Sequence, residues 1–128
     1  MKKLFVLSAI ILLAFSVQAQ RYPFGSATET TLTSAATIAL AEISDNLTIY
    51  TCATDTNITV NAATLDDNLK TGARVVFVFT ESTANADTIT WGTNLTGTTD
   101  AIPSGKTRIV EFIYNGTTFY KLTATQVN

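Results

Sequence analysis

The side chains that carry most protein chemistry are sparse in this chain. No histidine occurs among its 128 residues, which removes the usual general base of Ser-His-Asp and Cys-His sites and the commonest zinc ligand. Carboxylates remain at Glu29, Glu42, Glu81, Glu111 and the aspartates. A glycosidase needs two of them facing one bond, and no motif pairs any two, so no catalytic residue, cofactor or metal ligand is assigned and the chain is read as non-enzymatic. Asp66-Asp67-Asn68 gathers oxygens without the spacing or glycine of a calcium loop and reads as a solvated turn. Glu111 interrupts an apolar run. It is either a solvent-facing strand residue or a buried carboxylate paired with Arg74, Lys106 or Arg108.

Two further features bear on binding. Cys52 is the single cysteine and cannot close a disulfide within the chain; in an alternating strand it reads as a small buried hydrophobe, set against an intermolecular bridge or a reactive thiol. Trp91, Tyr114, Phe119 and Tyr120 form a candidate platform on which sugar rings could stack, with core packing as the alternative. Glycans are therefore one candidate partner class. The formal net charge is −2 with a pI near 4.9, so nucleic-acid binding through phosphate neutralisation is not expected.

The elements that hold these residues begin with a leader. In MKKLFVLSAIILLAFSVQA, Lys2 and Lys3 form a positive start, Leu4 to Val17 is apolar, and Val17-Gln18-Ala19 offers small residues for cleavage. As a helix the apolar stretch spans roughly 21 Å, short of the ~30 Å hydrocarbon core. It reads as a signal-peptide helix that is removed, giving a secreted or cell-surface product with no membrane attachment after cleavage. The chain divides into residues 1–19 as signal peptide, 20–28 as an extended arm and 29–128 as one folded domain. The arm carries Arg21, Tyr22, Pro23 and Phe24, and its Pro23 and Gly25 discourage regular structure.

Threonine fills 25 positions while charged residues make up only 14%. Its branched β-carbon favours strands, and its hydroxyl keeps an exposed sheet wet without charge. Asn46 to Cys52 alternates, with Leu47 and Ile49 on one face and Thr48, Tyr50 and Cys52 on the other; Asn57 to Asn61 is the next strand. Ala62 to Gly72 reads as a turn or a single helical turn, too short for a stable helix. Ala73 to Thr80, the most apolar run after the leader, predicts a central strand covered on both faces. Asp87 to Trp91 is a short strand, and Thr93 to Gly105 a polar loop. Arg108 to Tyr114 and Thr117 to Thr123 flank Asn115-Gly116, a hairpin signal. A two-residue turn would set Phe112 opposite Phe119 and Glu111 opposite Tyr120; a bulge would slip the pairing by one and exchange faces. No helix-period segment follows the leader and no internal repeat is evident. The expectation is an all-β, antiparallel β-sandwich or small barrel of about seven to nine strands.

From Gly72 onward the chain resembles a small β-sandwich domain of bacteriophage tail-fibre and other virion structural proteins. The likeness rests on Gly72 before the hydrophobic strand, Ile89-Thr90-Trp91, Lys106, Glu111 to Gly116, and Phe119-Tyr120. It implies a structural or adhesive module. With the leader, the weak surface charge and the absence of a binding motif, the sequence reads as a secreted structural subunit that assembles into a homo-oligomer or polymer through sheet edges or its arm, with an extracellular carbohydrate-binding module as the alternative.

Overall fold

A computed structural model describes residues 27–62 and 64–128. The leader and the arm residues Arg21 to Phe24 lie outside the described residues. The described chain is all-β, with ten strands: β1 (Thr28–Leu32), β2 (Thr37–Ala39), β3 (Leu47–Thr54), β4 (Ile58–Asn61), β5 (Arg74–Glu81), β6 (Asp87–Trp91), β7 (Leu95–Thr96), β8 (Asp100–Ile102), β9 (Thr107–Tyr114) and β10 (Phe119–Val127). They form a six-stranded sheet in the order β1-β3-β5-β9-β10-β7 and a four-stranded sheet in the order β2-β4-β6-β8.

The expected antiparallel arrangement is corrected by the pairing. β1 with β3, β3 with β5, β2 with β4, β4 with β6 and β7 with β10 are all parallel; antiparallel pairing is confined to β5 with β9, β9 with β10 and β6 with β8. The chain alternates between sheets, so β1 and β2, β3 and β4, and β5 and β6 form three successive coils stacked in parallel. Parallel neighbours need a long crossover, and here the crossover is a strand of the opposite sheet. Unequal spacing, with Thr28 opposite Thr48 but Leu47 opposite Arg74, explains why no sequence repeat betrays the stack. Thr28, assigned to the arm by sequence, is the first residue of β1.

Inward side chains of both sheets meet in one core that includes Val75, Phe77, Phe79, Ile89, Trp91, Val110, Phe112 and Phe119. β3 follows its expected alternation, and the Thr48, Tyr50 and Cys52 face is the buried one. β5 is central, as expected, but covered on one face only. Val75, Phe77, Phe79 and Glu81 are buried while Val76 and Val78 are half-buried, because the four-stranded sheet lies against one side alone.

The last hairpin follows neither register expected for it. Phe119 pairs with Tyr114 and Tyr120 with Ile113, across a four-residue loop in which Asn115 Oδ1 accepts the amides of Thr117 and Thr118 at 2.9 Å each. As far as Lys121 a slip of two leaves each side chain on the face a two-residue turn would have given it. The register shifts between Lys121 and Thr123, making Leu122 an extra residue of the kind that bends and ends regular edges. The stretch from Thr93 to Gly105 is also not all loop, since it contributes β7 and β8.

Candidate functional site

Two of the residues with chemical potential are spent on structure. Asp100 is buried, and it accepts the Trp91 indole N–H at 2.9 Å, Arg108 at 3.0 Å and Lys121 Nζ at 3.0 Å. Burial pushes its carboxyl up, but these donors and the Lys121 charge outweigh burial and hold it below the usual carboxylate range. Glu81 behaves alike: burial pushes it up, and hydrogen bonds from the Thr83 hydroxyl and the Gly105 and Thr83 amides bring it down. Glu81 thereby ties the β5–β6 connection to the turn before β9. Both carboxylates stay ionised and occupied by donors, the opposite of a proton-carrying acid. Sequence reading missed Asp100 because it sat in an apparent polar loop; the signal available was the Asp-Ala-Ile alternation within that stretch.

The four aromatics do not share a surface. Trp91 packs against Phe112 at 4.7 Å and Phe77 at 5.1 Å, and Tyr114 packs on Phe119 at 5.1 Å; all three are buried. Only Tyr120, 45% exposed, is open. The platform expected from sequence is therefore corrected: strand alternation sends Trp91, Tyr114 and Phe119 inward and Tyr120 to the opposite face. Cys52 is also buried, and burial, with Asp55 nearby, pushes its thiol up. Asp66 uses Oδ1 to accept the Asn68 amide at 2.6 Å.

What faces outward is the far side of the six-stranded sheet. Leu47, Arg74, Ile113 and Tyr120 lie side by side across β3, β5, β9 and β10; beside them run Ile49, Val76, Glu111 and Thr123, then Thr51, Val78, Ile109 and Thr125. Glu111 is thus on the outer face, ion-paired with Arg74 at 2.7 Å. At the end where β1 begins, Asn46, Leu47, Gly72, Arg74 and Ile113 line an open, mainly apolar depression of about 440 Å³. Tyr120, Leu122 and Val127, the large exposed apolar side chains among the described residues, all belong to β10.

The sheet edges are equally open. Among the described residues β1 pairs only with β3 and β2 only with β4, so one end of the stack presents two strands with open outer edges. At the other side β7 covers Phe119 and Tyr120 alone, leaving Lys121 to Val127 bonded on one side. No protein-family model matches the chain, and comparison with curated proteins returns no match.

Proposed function

We propose that this chain is an exported, non-catalytic structural subunit, a two-sheet sandwich that associates with copies of itself through its sheet edges or its N-terminal arm. The observation that carries this reading is the first-coil end, where the outer edges of β1 and β2 have no partner strand among the described residues and β1 presents Thr, Glu, Thr and Thr without a lysine or proline to block addition of a strand. A weakly charged, threonine-rich skin permits close approach of subunits. Secretion, the other half of the proposal, rests on the leader.

Expression of the full chain with its leader, followed by N-terminal sequencing and negative-stain microscopy of the exported product, tests both halves. Gln20 as first residue together with ordered filaments, sheets or oligomers is the expected result. Dispersed monomers at high concentration that bind a defined glycan would instead favour the adhesive module.

A further inference from the structure

We infer that the depression lined by Asn46, Leu47, Gly72, Arg74 and Ile113 is the acceptor for the Tyr22-Pro23-Phe24 segment of a second copy of this chain. The inference rests on the self-assembly reading and names the contact through which assembly would occur.

Three observations converge on this site. First, the depression is mainly apolar and open, and it lies on a sheet face whose half-buried Leu47, Ile49, Val76, Val78, Ile109 and Ile113 have no covering layer among the described residues. Apolar surface of that kind marks an interaction site. Another open depression, of about 330 Å³, has Leu32, Ala41 and Tyr50 beside Glu42 and Asp45 in its lining; its charged groups are acidic, with no cation to meet an aromatic face.

Second, the chain outside the described residues joins the fold at the same end. Thr28 is in register with Thr48, the neighbour of Leu47 in the depression wall. Phe24 lies four residues upstream of Thr28, a reach of about 13 Å if extended. An extended segment continued along the line of β1 would run past the end of the sheet rather than back over the outer face of its own copy, which is why the acceptor is assigned to a second copy.

Third, the chemistry matches. Pro23 has no N–H and cannot serve as a regular ladder strand, so the segment docks through its side chains, as proline-containing segments do in apolar grooves. Phe24 would sit between Leu47 and Ile113. The Arg74 guanidinium, with its side chain 53% exposed despite its pairing to Glu111, is placed to meet an aromatic face.

The test replaces Phe24 in the full chain with a photo-crosslinking phenylalanine analogue. Exported protein from ¹⁴N- and ¹⁵N-grown cells is mixed, dissociated and reassembled, then irradiated, and the linked peptides are identified by mass spectrometry. Mixed-isotope crosslinks from position 24 to the peptides holding Leu47, Arg74 or Ile113 are expected. Crosslinks to those peptides within a single copy would overturn the inference, because the arm would then cover its own sheet. Oligomers whose crosslinks fall elsewhere would overturn it while leaving self-assembly intact; absence of any oligomer would remove both. Phe24→Ala and Leu47→Asp should each weaken self-association at least tenfold, with the buried Trp91 emission unchanged as a control for folding. Unaltered association in both variants would also overturn the contact.

Discussion

At the scale of single residues, Asp100 carries the most consequence. Its carboxylate holds Trp91, Arg108 and Lys121 together, and its own side chain is only 2% exposed. Asp100→Ala leaves two cations without their partner, and loss of one side of a buried pair costs about 3–5 kcal/mol; urea unfolding followed by Trp91 fluorescence should show it. The pH dependence follows in sign. Asp100 and Glu81 are both held lower when folded than when unfolded, so the stability they add is present above the unfolded carboxylate range near about 4 and is lost as pH falls through the lower folded values. The urea midpoint should be level from neutral pH down to about 5 and decline below about 4, with the decline shallower in Asp100→Ala. Trp91→Ala, for its part, is a core truncation costing about 3–5 kcal/mol. A glycan-binding measurement therefore needs Tyr120→Ala as its control, and any glycan response abolished by Tyr120→Ala would revive the adhesive reading.

Among the elements, legibility followed the range of the forces involved. Alternation in β3 was readable because a half-covered strand advertises its period, and Asn115-Gly116 marked a hairpin, in which Gly116 and not Asn115 takes the positive φ. The register was not readable. The Asn115 side chain captures the amides of Thr117 and Thr118 and lengthens the loop, a choice made by two hydrogen bonds rather than by any pattern. Parallel pairing was equally hidden, since whether β3 lies beside β1 depends on a crossover through the other sheet and on no residue within either strand. The outer face of β5 was misjudged for a related reason: Val76 and Val78 are as apolar as buried residues, and only the missing third layer distinguishes them. Gly116 tests the turn. Its φ is +105°, and an added Cβ would stand 3.1 Å from Thr71 Oγ1, so Gly116→Ala should cost about 1–2 kcal/mol, seen in thermal unfolding.

Taken whole, the molecule has direction. Among the described residues one end is a first coil whose β1 and β2 each have an open outer edge; toward the other, the chain turns back on itself through β8, β9 and β10, and the Leu122 bulge disrupts the long edge of β10. Unlike ends on one subunit make head-to-tail contact the natural mode of association, and contacts of that kind form rings when the rotation closes and filaments when it does not. The forces available for it are mostly uncharged. On the outer face Arg74 and Glu111 neutralise each other; the rest of that face is mostly aliphatic or threonine, with Tyr120 on β10 and one further charge, Glu29, beside Ile49. Raising ionic strength from about 0.01 M to about 1 M shortens the Debye length from about 30 Å to about 3 Å, yet an association built on apolar burial and backbone pairing should weaken little. Sulfate salts, which strengthen apolar burial by exclusion from protein surface, should tighten it. Sedimentation velocity across a sodium chloride series and a sodium sulfate series reads both effects. A steep loss of oligomer in chloride would mean that charge pairs hold the subunits together, and the sheet edges and the apolar face would lose their claim as the assembling surfaces.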